Sequence, residues 1–151
     1  MCLSLIYLTN WIPNCQTYIL MDIMPVLCNY FDMLKKQFRL KKNSAFTATY
    51  RIKNSYCIGG IVLWVGKKKD NIEIPTKAGF VVSKKTHKRA VRRNRLKRLM
   101  RESYRLLLKE GDVYKSQHYL SLIFVGFEKA LNSDFNQIKK NIQKLLQNIK
   151  D

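Results

Sequence analysis

The sequence predicts an α/β fold: an α+β sandwich with a small mixed β-sheet of about four strands and three helices, in the order α-β-β-β-α-β-α. Three observations predict the α/β class. Tyr56 to Val65 and Ile72 to Val82 are rich in β-branched and aromatic residues, as strands are. Tyr119 to Phe127 is a near-continuous apolar run of the kind buried on both faces of a sheet. Between and after these runs, apolar residues recur at helical spacing.

The first 32 residues stand apart. Met1 to Asp32 is rich in Leu, Ile, Tyr, Met and Cys and is broken by Pro13 and Pro25. It lacks a positive start, a compact apolar run and a small-residue cleavage site, so it does not read as a signal peptide. Asn10, Pro13, Asn14 and Gln16 interrupt it too early for a membrane span of about 18 apolar residues. It is expected to be a start-site artefact or a loosely attached extension. Residues 33–151 are expected to form one compact domain.

Within that domain Asn43 or Ser44 can cap a short helix running through Phe46 and Tyr50. The two rings, spaced i and i+4, stack on one side of it. From the residues alone they are either two core anchors or two faces of a binding groove. Next come the two β-rich runs, separated by Gly66-Lys67-Lys68-Lys69-Asp70-Asn71. They read as a hairpin or meander with its turn around Asp70-Asn71. Gly59-Gly60 inside the first run points to a bulge or a sharp bend. Pro75 implies a strand start near Thr76 or an edge position.

The stretch from Val81 to Glu102 begins as a β-branched pair, crosses a basic loop and becomes a helix. On a wheel turning about 100° per residue, Leu99, Met100, Ser103 and Leu107 fall near Leu96. Asn94, Arg98, Arg101, Arg105 and Lys109 gather opposite. Gly111 is placed to end this helix as a C-cap. After the strand of residues 119–127, Asn132-Ser133-Asp134 starts a last helix with Phe135, Ile138, Ile142, Leu145 and Ile149 on one face.

The charge of this chain is lopsided. The net charge is +19, and no Lys or Arg precedes Lys35. From Met33 onward 29 basic residues face 8 acidic ones, a net of +21. Between Lys84 and Lys109 the only acid is Glu102, so the opposing charges that normally lace an exposed helix are nearly missing. Such a row repels itself, and a polyanion relieves the repulsion. Arginine leads, and its planar fork suits phosphate contact and base stacking, so RNA or DNA is the expected partner. A membrane surface is the competing polyanion, but no long amphipathic helix with a Trp/Phe/Leu face favours it.

The same inventory argues against a self-sufficient catalyst. His87 and His118 are the only histidines, and nothing in the sequence brings them together as an acid–base pair. The acids are too sparse for a two-metal carboxylate cage, and no phosphate-cradling Gly-x-x-x-x-Gly-Lys-Ser/Thr loop occurs. Cys2, Cys15, Cys28 and Cys57 form no Cys-x-x-Cys pair and have no histidine near them in sequence, so no metal site is expected. Free thiols in a reducing cytosol fit.

Arg93-Asn94-Arg95-x-Lys97-Arg98-x-x-Arg101, preceded by Ser83-Lys84-Lys85, resembles the signature of the bacterial ribonuclease P protein subunit. Leu34-Lys35-Lys36 and Arg39-Leu40-Lys41-Lys42 coincide with the usual start of that family, and the resemblance runs from Leu34 to about Leu146. It implies an accessory, cytoplasmic subunit that docks as a monomer, one per RNA, on a ribozyme. That RNA removes the 5′ leader of precursor tRNA using Mg2+ held mainly by the RNA, with no cofactor or catalytic residue intrinsic to the protein. It also implies a left-handed crossover at the strand–helix–strand unit, against the usual right hand.

By residue, the resemblance implies that Lys84, Lys85, Lys88, Arg89, Arg92, Arg93, Asn94, Arg95, Lys97, Arg98, Arg101 and Arg105 meet the ribozyme RNA. Arg39, Lys42, Phe46, Tyr50, Lys77, Phe80 and Ser83 are implied to line a cleft for the single-stranded leader. Thr86-His87-Lys88-Arg89 lacks the glycine that many family members carry in this loop, and Lys67-Lys68-Lys69 is expected to change charge only. The alternative is a general basic RNA-binding or ribosome-associated protein with no role in cleavage.

Overall fold

The computed structural model describes residues 34–70 and 74–149. The expectations for residues 1–32, and for the turn and strand start at residues 71–73, lie outside the described residues. The elements are helix α1 (Asn43–Arg51), strands β1 (Ser55–Ile58), β2 (Ile61–Val65) and β3 (Lys77–Val82), helix α2 (Ala90–Glu110), strand β4 (Ser121–Gly126) and helix α3 (Phe135–Gln147). Their order is the expected α-β-β-β-α-β-α, with short 3-10 turns at Lys36–Phe38, Tyr114–His118 and Glu128–Ala130.

Strand pairing departs from the hairpin the sequence implied. The tight turn is at Gly59-Gly60, where both residues take positive φ, +58° and +79°. That backbone joins antiparallel strands with the correct twist and is open to glycine at both positions. It splits the first apolar run into β1 and β2, with Ile58 opposite Ile61. β2 and β3 are not neighbours. The sheet order is β1-β2-β4-β3, so β4 lies between them, antiparallel to β2 and parallel to β3.

The segment after β2 is held elsewhere. Lys68 bridges Tyr119, and the Lys69 backbone N–H donates to the His118 carbonyl at 2.8 Å. The Lys69 ammonium is buried and donates to the Ile74 carbonyl. Burial holds its pKa below the usual lysine value. Lys69 is thus a structural residue, where charge alone had been expected to matter. β3 starts at Lys77 and lies on the sheet edge, which accounts for Pro75 just before it.

Alternation along the strands sorts the side chains into two faces. Ile61, Leu63 and Val65 of β2 share one face with Leu122 and Phe124 of β4 and with Ala78 and Val82 of β3. They form one core with Leu96, Met100, Tyr104 and Leu107 of α2 and with Ile138, Ile142, Leu145 and Leu146 of α3. Tyr104 lies about 80° from Leu96 on the helical wheel, yet it is wholly buried. α2 ends at Gly111, whose φ of +81° is the left-handed cap.

The opposite face carries α1. Thr49 and Ser121 share a buried hydroxyl–hydroxyl hydrogen bond at 2.6 Å. Tyr50 meets Trp64 edge-on, with ring centres 5.3 Å apart. Ile123, fully buried, lies outside the α2–α3 core, consistent with its position on this second face. The helix begins at Asn43 with Lys42 at the cap position, and no side chain makes the expected capping bond there.

Gly79 makes room for this arrangement, since a Cβ there would stand 2.7 Å from Cε1 of Phe46. Gly79→Ala is therefore expected to destabilise the domain by about 1–3 kcal/mol, the usual cost of overpacking. In a Phe46→Ala background most of that cost should vanish. Urea midpoints of the four proteins of this cycle check it, and equal costs in both backgrounds would refute the contact.

Candidate nucleic-acid interface

The sheet separates two candidate surfaces. The first is the loop of residues 83–89 with the first half of α2. The loop is knitted by its own bonds. The Thr86 N–H donates to the Ser83 carbonyl at 3.2 Å, and the Lys85 N–H to Ser83 Oγ at 3.2 Å. The Arg89 N–H donates to His87 Nδ1 at 3.1 Å. Among the described residues the only non-glycine with positive φ is Lys53. Residues 83–89 therefore form this loop at negative φ, without a glycine.

Arg93 closes the loop onto the helix. Its Nη1 donates to the carbonyls of His87 and Lys88, both at 2.7 Å. Lys84, Lys85, Lys88, Arg89, Arg92, Asn94, Arg95 and Arg98 are exposed, while Arg93, Lys97 and Arg101 are half-buried. Asn94, Arg95 and Arg98 line a shallow hollow with Val91 and Leu99. Val91 is 80% exposed there, so an exposed apolar side chain stands beside two guanidinium groups.

Arg105 is placed differently from its neighbours in the row. Its Nε donates to Glu102 Oε2 at 2.9 Å and its Nη2 to Oε1 at 2.5 Å. The arginine side chain is 16% exposed and the glutamate 44%. Hydrogen bonding by Arg105 holds the Glu102 carboxyl below the ordinary glutamate range. The one acid in the cationic stretch is thus engaged with Arg105, at the far end from the exposed cations between Lys84 and Arg98. Arg101 lies over the Phe80 ring, 6.0 Å from its centre, within reach of a cation–π contact.

The second surface is the groove beside α1. Phe46 and Tyr50 are half-buried, with Phe46 against Gly79 and Tyr50 against Trp64. Burial pushes the Tyr50 hydroxyl pKa up. Lys42 and Lys77 are exposed. Arg39 bridges the outer edge of β3 at Ala78, and its Nε donates to the Leu34 carbonyl at 2.6 Å. Ser83 is exposed just past the end of β3.

Phe80 does not join this group. Alternation turns it to the α2 side, stacked on Phe124 at 5.4 Å and 6.1 Å from Tyr104. Phe46 and Phe80 therefore serve opposite faces of the sheet. The structure adds Trp64, Gly79 and the Thr49–Ser121 pair to the groove. Their signal lay in strand alternation, which needed the register before it could be read.

His87 is bonded within the basic loop, and His118 meets Tyr114 edge-on at 5.2 Å. Among the described residues no cluster of three or more His, Cys, Asp or Glu side chains is placed to hold a metal ion. Among the same residues no helix is long and apolar enough to cross a membrane.

The family model for Ribonuclease P matches residues 34–150. The chain belongs to the ribonuclease P protein family. It is 37% identical over 111 residues to the ribonuclease P protein component of Clostridium botulinum (strain Loch Maree / Type A3), covering 74% of this chain and 93% of the relative. It is 32% identical over 109 residues to that of Listeria monocytogenes serotype 4a, covering 72% and 85%. The Staphylococcus aureus RNase P protein structure superposes with a TM-score of 0.58 at 26% identity, covering 74% of this chain and 94% of that one. The Thermotoga maritima RNase P protein shares the fold, with a TM-score of 0.61 at 23% identity, covering 75% of this chain and 98% of that one.

The Glu102–Arg105 contact has a signature in pH. A carboxyl whose folded pKa is depressed adds stability above its unfolded pKa and loses it as pH falls through the folded value. Glu102→Gln should therefore lower the urea midpoint at neutral pH, by an amount worth less than about 1 kcal/mol for so exposed a carboxylate. The gap from the parent should close as pH drops below about 4. A gap that persists unchanged into strong acid would contradict the pairing.

Proposed function

We propose that the chain acts as the protein component of ribonuclease P, assisting an RNA catalyst that cuts the 5′ leader from precursor tRNA. The observation that carries this reading is the acid-poor arginine surface of α2 and its loop in a chain of this family. The exposed cations from Lys84 to Arg98 dock on the catalytic RNA. Arg93 holds the docking loop in shape, and Arg101 is steadied by Phe80. The groove beside α1 receives the single-stranded leader, with Phe46 and Tyr50 offering ring faces and Lys42 and Lys77 offering charge. Aromatic faces beside cations are the usual design for single strands, because every base has a flat face to stack.

On this reading the protein does no bond-breaking itself. The Mg2+ ions belong to the RNA, whose phosphates supply the hard oxygen ligands that such ions take. The protein lowers the repulsion between two polyanions that must approach each other. It also favours leader-bearing substrate over leaderless product, which eases product release. One copy per catalytic RNA, acting in the cytoplasm, fits these roles.

Two substitutions separate the surfaces. Arg95→Ala should weaken binding to the catalytic RNA and flatten its salt dependence, each lost phosphate contact removing about 0.7–0.9 from the log–log slope. An unchanged slope would remove Arg95 from the interface. Phe46→Ala should leave that binding intact and cost about 1–3 kcal/mol of preference for leader-bearing tRNA. Equal losses for tRNA with and without a leader would refute the groove assignment.

A further inference from the structure

A hollow of about 280 Å³ opens where α1 ends above the start of β3 and β4. Its apolar lining includes Leu40, Ile52, Ile74 and Leu120, and Lys67 and Lys77 stand exposed on its rim. Ile52, Ile74 and Leu120 are 37%, 49% and 43% exposed, and all three converge on this one cavity. No acid lines it. Exposed apolar side chains gathered in one concavity mark a binding surface rather than scattered surface residues.

The hollow continues the groove beside α1. Lys77 precedes Gly79, the seat of Phe46, by two residues on the same face of β3, about 7 Å along the strand. Ser121, also in its lining, is the residue bonded to Thr49 of α1. From Lys77 to Ser83, beside the arginine surface, the strand runs about 20 Å. A single strand leaving the arginine surface and passing Phe46 would therefore arrive here next.

We propose that this hollow is a base pocket, taking one unpaired nucleobase of the leader beyond those that pass Phe46 and Tyr50. This rests on the leader reading given above. A base presents a flat apolar body joined to an anionic backbone. The hollow matches both parts, with an aliphatic floor for the ring and lysines at the rim for the flanking phosphates. A lipid chain or an apolar peptide would use the floor and leave the lysines idle.

The test uses the full chain assembled with a family ribonuclease P RNA and precursor tRNAs whose leaders range from about 2 to about 16 nucleotides. Two variants alter the hollow at exposed positions: Ala48→Leu fills it from the helix, and Leu120→Glu makes it acidic. Both should lose about fivefold or more in affinity, and only with leaders long enough to reach the hollow. Scanning such a leader with abasic residues should reveal one position whose loss matches that of Leu120→Glu and does not add to it.

A flat abasic scan, or losses that add in full, would overturn the base pocket. If the pocket alone is wrong, the parent holoenzyme still prefers leader-bearing tRNA and Phe46→Ala still removes that preference. If the leader reading is wrong, neither of those effects appears.

Discussion

Everything in this structure hangs on β4, which pairs on both edges and is buried on both faces. On one side Phe124 stacks with Phe80 and packs against Tyr104 at 5.4 Å, anchoring α2 to the sheet. On the other side Ser121 bonds Thr49 and so seats α1. The helix that carries the arginines and the helix that carries Phe46 are thus held to opposite faces of one strand. Close packing leaves little freedom in that spacing. Gly126 shows how tight it is, since a Cβ there would meet Leu96 Cδ2 at 2.7 Å.

The cationic surface has its own internal economy. Three of its groups are engaged within the protein: Arg93 with the loop carbonyls, Arg105 with Glu102, and Arg101 over Phe80. These contacts give the loop and helix a fixed shape before any partner arrives, which cuts the ordering cost of binding. The exposed remainder, from Lys84 to Arg98, keeps its mutual repulsion. On the proposed reading, docking on the catalytic RNA relieves that repulsion.

Much of this was legible in the sequence, because it was written in local periodicity. The three helices, the apolar side of α2, the doubly buried β4 and the face of α3 all follow from spacing alone. The pairing of strands did not, because Gly59-Gly60 and Asp70-Asn71 are both acceptable turns and the choice depends on where β4 inserts. The resemblance put Phe80 in the leader cleft, and because β3 carries apolar residues on both faces, alternation gave no sign against it. Lys69, Arg93 and Arg105 look like any other cations until their partners are known. Tyr104 lies to one side of the apolar stripe named from the sequence, yet Phe80 and Phe124 of the sheet pack against it.

The account stands on a division of labour in which the protein binds and RNA cuts. Its most direct test is cleavage of precursor tRNA by a family ribonuclease P RNA at a magnesium concentration too low for the RNA alone. Adding the full chain should restore cleavage at the mature 5′ end, and the chain without RNA should cut nothing. No rescue, or cleavage by the protein alone after rigorous removal of contaminating nucleases, would contradict it.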